Sequence, residues 1–288
     1  MFRRAMAGAK YVLGLQRPGR NLAVFPDDVF IVSYPKSGNT WTRFLIANLV
    51  YPQESASFAN INRLIPDPEA LSKRELNRLP RPRYIKSHQY FDPRYRKIVY
   101  VVRDPRDVAL SQYHFHRKRK LVQDGDPVET FVTRFVAGHT SPYGSWAENV
   151  AGWLATRHGH PGFLLLRYED MIGNTAQELA KVALFLGIQP DPEWLQECAD
   201  RSSADQMRKL ERLQAHLWSS TRDTRQDVPF IREAKPGGWK SELPEASVAQ
   251  IEQAWGPIMH FLGYELTPGA AGRAGGDALE SILAGPGR

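Results

Sequence analysis

Residues Tyr34-Pro35-Lys36-Ser37-Gly38-Asn39-Thr40-Trp41 lie between an apolar run, Val29 to Val32, and an amphipathic segment with Trp41, Phe44, Leu45 and Leu49 at helical spacing. A strand, a loop with one lysine and one glycine, and a helix start together make an anion site. The unpaired N–H groups of a first helical turn and the positive end of its dipole face the ligand, and Lys36 adds a mobile charge. Other chemistry-bearing residues also fall at the ends of segments that read as strands. Lys86 and His88 end Arg83 to His88, Arg103 follows Ile98 to Val102, and Tyr168 follows Phe163 to Arg167. Taken singly, Lys86 or Arg103 reads best as a surface charge. Four strand ends sending cations and an imidazole to one sheet edge instead describe a crevice for an anion, with a base of ordinary pKa near 6.5 beside it.

The order of residues excludes the common nucleotide loop, in which lysine follows the second glycine; here Lys36 precedes Gly38. No Walker-type aspartate ends a strand, which disfavours a phosphate-transferring kinase. His114 and His116 run into Arg117-Lys118-Arg119-Lys120, which reads as a solvated or anion-steering helix face. Asp104 and Asp107 read as helix caps.

The elements that position these residues alternate strand and helix. Asp104 as N-cap and Pro105 at the first position predict a helix after the third strand. Thr175 to Leu186 predicts another, stopped by Gly187. Asp191 to Trp218 reads as helical pieces, Ser247 to Leu262 as the last apolar helix, and Tyr51 to Pro82 as irregular with a short helix near Pro68 to Arg78. The pattern predicts an α/β fold: a single domain, 26–267, with a central parallel sheet flanked by helices. Residues 1–25 read as an N-terminal arm and 268–288 as a Gly- and Ala-rich disordered tail.

The 288 residues, 42% hydrophobic, suffice for one full core. A net charge of +7 fits a nucleic acid, a phosphorylated cofactor or an acidic acceptor, without choosing among them. Cys198 is the only cysteine, so no intrachain disulfide or cysteine metal site exists, and a reducing compartment is expected. No stretch approaches the roughly 20 apolar residues of a spanning helix.

The same residues resemble the sulfotransferase family. Its 5′-phosphosulfate loop reads Tyr-Pro-Lys-Ser-Gly-Thr-Thr-Trp, from which Asn39 is the single departure, at a position that works through its backbone N–H. Pro82 to His88 is similar to the family's Pro-Arg-x-x-Lys-[Ser/Thr]-His, whose histidine is the catalytic base. Val102 to Ser111 resembles the 3′-phosphate motif, with Arg103 and Ser111 as ligands. Those two are eight residues apart, roughly 12 Å along a helix, so they share a phosphate only if the arginine reaches back. Pro142 to Trp146 and Arg167 to Met171 also match, Tyr168 lying against the adenine. Arg201-Ser202-Ser203-Ala204 matches a nucleotide-touching segment, with Ala204 at its aromatic position. Arg232 to Lys240 is similar to Arg-Lys-Gly-x-x-Gly-[Asp/Gly]-Trp-[Lys/Arg], but Glu233 puts an anion where a cation is expected, so Lys235 is expected to turn inward. The family's dimerisation motif is only partly matched, by Leu243, Ser247, Val248 and Glu252, leaving monomer or dimer open.

The resemblance, covering Pro26 to Leu266, implies a soluble cytoplasmic enzyme. It would pass a sulfuryl group from 3′-phosphoadenosine 5′-phosphosulfate (PAPS) to a hydroxyl or amine of a small molecule or carbohydrate, without a metal and without nucleic acid as partner. Implied catalytic residues are His88, Lys36, Lys86 and Ser111, the last engaging Lys36. Implied donor ligands are Lys36, Ser37, Gly38, Asn39, Thr40, Trp41, Arg103, Ser111, Tyr168, Ser202, Arg232 and Lys235. Trp41 stacks on the base or belongs to the core of its helix. The alternative is a non-catalytic nucleotide or polyanion binder that keeps the fold. Acceptor choice is expected from residues 51–81, 120–143 and 219–231, and the aromatics Tyr90, Phe91, Phe131 and Phe135 would line a pocket or pack in the core.

Overall fold

The computed structural model describes residues 21–218 and 220–268. Its strands are β1 Val29–Ser33, β2 Tyr84–Ser87, β3 Lys97–Val102 and β4 Phe163–Arg167, in the order β2-β1-β3-β4 with every pair parallel. The connecting helices are α1 Asn39–Val50, α2 Ile61–Leu64, α3 Lys73–Asn77, α4 Pro105–Lys118, α5 Val128–Val136 and α6 Trp146–Arg157. They continue as α7 Tyr168–Gly173, α8 Thr175–Leu186, α9 Pro192–Arg201, α10 Ala204–Gln214, α11 Trp239–Glu242 and α12 Glu245–Phe261.

β1, β3 and β4 read as nearly unbroken apolar runs because both faces of the sheet are covered. Phe30, Val32, Ile98, Tyr100 and Val102 turn to one side and pack against α4, α5, α6 and α12. Val29, Ile31, Val99 and Val101 turn to the other and pack against α1, α8 and α9. Local signals fixed many boundaries. Asp104 accepts from the Arg106 amide at 2.9 Å with Pro105 at the first helical position, and Gly187 ends α8 at φ 81°.

Some expectations need correction. The first helix begins at Asn39, two residues before the apolar periodicity starts. The short helix expected near Pro68 to Arg78 covers only Lys73–Asn77, opened by a Ser72–Glu75 capping box. Leu22 is buried and the Arg83 guanidinium donates to the Ala23 carbonyl at 2.8 Å, so the packed body starts inside the expected arm. Residues 1–20 of that arm and 269–288 of the expected tail lie outside the described residues. Ser247, Val248 and Glu252 are buried, and Glu252 accepts from Arg106 at 2.5 Å, so the partly matched dimer segment faces inward.

Candidate functional site

The sheet order decides what meets what. β1 lies between β2 and β3, and β4 follows β3, so the chain switches direction across β1, where open parallel sheets bind ligands beyond their carboxyl ends. Residue pairs Val32–Ser87, Ser33–Val101 and Val102–Arg167 stand in register. The residues that follow, His88, the Lys36 loop, Arg103 and Tyr168, therefore emerge in a row along one edge, with neighbouring strands about 4.8 Å apart.

The loop after β1 is a tight turn. The Ser37 amide donates to the Tyr34 carbonyl at 3.2 Å. Pro35 holds the second position, and Lys36 the third at φ 71°, a place that ordinarily calls for glycine. Gly38 follows at φ 96°, and a Cβ there would lie 2.6 Å from the Tyr168 ring, so glycine is required twice over. α1 opens with no side-chain cap and no acidic residue in its first turn. The Ser37 hydroxyl and Arg103 Nε are buried beside it with no partner among the described residues. Asn39 directs its side chain back to β1, Nδ2 donating to the Ile31 carbonyl at 3.1 Å, which leaves its backbone N–H for the crevice. Thr40 is half-buried in the same turn. Uncapped amides, a buried hydroxyl and a guanidinium together fit an anion such as a phosphate.

Lys36 itself does not reach into that turn. Its ammonium lies 4.1 Å from the centre of the Phe230 ring and 4.5 Å from that of Phe115. Burial and the Arg103 charge push its pKa down to about 7, against the pull of the two ring faces. Ser111 sits one turn before Phe115 on α4, half-buried, on the face that also carries Asp107.

On β2 the Lys86 ammonium pairs with Asp67 Oδ2 at 2.7 Å. Despite burial, which works the other way, the Lys86 charge holds Asp67 down at about 2. His88 Nδ1 lies 2.7 Å from the Ser33 carbonyl; a carbonyl only accepts, so Nδ1 carries the proton and Nε2 keeps its lone pair. Burial and Lys86 push the imidazole down to about 3. The Tyr143 ring stands 5.5 Å away.

Arg103 reaches back along its helix only as far as Asp107, at 3.7 Å, one turn short of Ser111. Its guanidinium also lies 4.4 Å from the centre of the Tyr168 ring and donates to the Lys36 carbonyl at 3.3 Å. Tyr168 is therefore covered by Arg103 and Gly38 and is 5% exposed; it is a platform inside the site rather than an open face. Trp41 meets the Tyr168 ring edge-on at 5.7 Å, and its Nε1 donates to the Ser202 carbonyl at 2.9 Å. The Ser202 side chain, wholly buried, accepts from Asn48 at 2.9 Å. Ser202 thus supports Trp41 from below and cannot present its hydroxyl to a ligand in this arrangement.

The loop after residue 229 closes the far end. Arg232 is turned onto Glu242, donating at 3.0 and 3.2 Å to its two oxygens; His114 meets the same carboxylate at 3.2 Å. Lys235 is exposed. Asp107 is more than a cap, for its carboxylate accepts from the Gly237 and Trp239 amides at 2.7 and 3.1 Å. Lys118, expected on a solvated face, is buried and donates to the Arg225 and Val228 carbonyls at 2.9 and 2.6 Å. Phe131 and Phe135 are buried in the core rather than lining a pocket, whereas Tyr90 is exposed. A cavity of about 370 Å³ lies outside the loop, lined by Arg106, Asp107, Glu169 and Trp239. Another, of about 690 Å³, is lined by α10 and by residues 226–233. Neither is lined by Lys36 or His88. Among the described residues no group of three His, Cys, Asp or Glu side chains could hold a metal ion, and no helix is long and apolar enough to cross a membrane.

Sequence reasoning missed Asp67, Phe115, Phe230 and Glu242. None stands at a motif spacing from its partner; the only signal was that Asp67 falls in an irregular segment of the kind that covers active sites in α/β proteins.

Comparison with known proteins gives three consistent findings. Residues 26–263 match the family described as the sulfotransferase domain. Sulfotransferase 1A1 of the dog, Canis lupus familiaris, is 32% identical over 244 residues, 79% of this chain and 81% of that protein. Among solved structures, mouse sulfotransferase SULT7A1 complexed with PAP superposes with a TM-score of 0.69 at 24% identity, over 86% of this chain and 88% of that one. Retinol dehydratase in complex with androsterone and the inactive cofactor PAP gives 0.68 at 24% identity, over 91% and 88%.

Proposed function

Because the chain belongs to the sulfotransferase family, we propose that the crevice at the ends of β1, β2 and β3 binds PAPS and that its residues pass the sulfuryl group to a small acceptor. The chain is a sulfotransferase enzyme. The main support for this reading of the crevice is the uncapped start of α1, with the partnerless Ser37 hydroxyl and Arg103 Nε, next to a histidine whose free nitrogen is fixed by the Ser33 carbonyl.

The amides of Gly38, Asn39, Thr40 and Trp41 and the Ser37 hydroxyl would take the 5′-phosphate, and the half-buried Trp41 edge the base. The Arg103 guanidinium would extend from Asp107, which it meets at 3.7 Å, towards Ser111 and, with Arg232 and with Lys235 free to turn in, would take the 3′-phosphate. PAPS supplies an activated sulfuryl group on a phosphate leaving group, and transfer is in-line, governed by positioning and charge. Lys36 would leave its two rings for the bridging oxygen as negative charge develops there. Lys86, held in place by Asp67, would steady the sulfuryl oxygens. His88 Nε2 would accept the acceptor's proton; it is already unprotonated, and an anion beside Lys86 offsets the cation that holds its basicity down. Lys86, and Lys36 once it has left its rings, would supply the charge that Mg²⁺ supplies in kinases, which supports transfer without a metal.

Tyr143 and the Asp67–Lys86 pair lie beside His88, and a small hydroxyl compound is the acceptor class put forward. Androsterone in the retinol dehydratase complex offers a hydroxyl of that kind, and a carbohydrate remains the second choice. A single cysteine, which permits no intrachain disulfide, suits a reducing cytoplasm.

Thermal melting with PAP, ATP and DNA tests the donor assignment. PAP at about 100 times its dissociation constant should add roughly 2.7 kcal/mol of stability, with little shift from ATP or DNA. A shift with ATP and none with PAP would refute it.

A further inference from the structure

α10 holds the Arg232 loop as a strip of backbone. Glu211 accepts from the Phe230 and Ile231 amides at 2.6 and 3.0 Å. Arg208, three residues earlier and so on the same helix face, then takes the next two carbonyls. Its Nε and Nη2 donate to the Arg232 carbonyl at 3.0 and 2.8 Å, and Nη2 donates also to the Glu233 carbonyl at 2.8 Å. Nη1 pairs with Asp205 at 2.8 Å, a carboxylate 95% exposed and therefore weakly held.

Across a trans peptide the C=O and the following N–H point in opposite directions. Two successive carbonyls gripped by one guanidinium turn the Glu233 and Ala234 amides to the other side of the loop. Neither amide has a protein acceptor among the described residues. Ala234 sits at φ 52°, the left-handed conformation in which consecutive amides converge on an anion. The Glu233 side chain is exposed. Tyr168, whose phenol burial pushes up, feels the Arg208 charge together with that of Arg103, so Arg208 and the crevice share one electrostatic environment.

We propose that Arg208 is a positioning residue of the donor site: it sets the Arg232–Glu233 backbone so that the Glu233 and Ala234 amides meet the 3′-phosphate, and the anionic side chain at 233 is tolerated because the backbone makes the contact. The inference rests on the donor assignment above. It differs from a simple charge substitution, because an ammonium lacks the fork that spans two carbonyls.

Calorimetry with PAP and with adenosine 5′-phosphate, which lacks the 3′-phosphate, separates the possibilities. Arg208→Ala should weaken PAP binding by about tenfold or more, as expected for lost hydrogen bonds from a charged donor, and change adenosine 5′-phosphate binding less than twofold. Arg208→Lys should stay at least about fivefold weaker than the parent for PAP, and it carries the test if the alanine variant fails to fold. Unchanged PAP affinity, full recovery with lysine, or equal losses for both nucleotides would overturn the inference. A parent protein that binds PAP no more tightly than adenosine 5′-phosphate would instead overturn the donor assignment.

Discussion

Lys36 combines a strained backbone with a displaced charge. A non-glycine residue at φ 71° behind Pro35 costs on the order of 1–3 kcal/mol, and such strain persists where the surroundings over-determine it. Here the end of β1 and the start of α1 fix the turn from both sides. The ammonium, over Phe115 and Phe230 and depressed to about 7, is largely neutral at pH 8. An anion at the α1 start would raise its pKa, so PAP binding at pH 8 should take up close to one proton and at pH 6 almost none. Calorimetry in buffers of different ionisation enthalpy measures this; equal uptake by the parent and Lys36→Met would exclude Lys36 as the source. Lys36, Lys86 and His88 were legible in the sequence because each falls at or next to the end of a segment that reads as a strand. Asp67 was not, since a carboxylate in an irregular segment gives no spacing that points to Lys86.

At the scale of elements, α4 and the loop before α11 form the end of the site that takes the 3′-phosphate in this account. α4 offers Asp107, Ser111 and Phe115 on one face and buries Lys118 at its end. Capping letters foretold where α4 starts, because capping is local. The fate of Lys118 depended on loop carbonyls 107 and 110 residues away, which no local pattern carries. Glu242, at the end of α11, holds Arg232 where a phosphate would otherwise compete. Both partners are about a quarter to a third exposed, so the pair is worth at most about 1 kcal/mol. Glu242→Gln should therefore tighten PAP binding by up to about fivefold, read by titration. Weaker binding would mean that the carboxylate orients Arg232 for the phosphate instead of competing with it.

For the molecule as a whole, the order β2-β1-β3-β4 turns four separate sequence signals into one row. Alternating strands and helices foretold the parallel sheet. The order of its strands is a long-range property and became visible only in the structure, as did the inward-facing Ser247, Val248 and Glu252. An excess of seven positive charges suits an anionic donor. The central claim is that this row moves a sulfuryl group with His88 as base. Its most direct measurement is transfer of labelled sulfuryl from PAPS to a panel of phenols and alcohols, by the parent protein and His88→Ala, with PAP binding measured alongside. The account predicts product from the parent, a loss of about 10² to 10⁴ in rate for the variant, and unchanged PAP affinity. Turnover by His88→Ala within a few-fold of the parent, or a parent that binds PAP and sulfates no member of the panel, would contradict it.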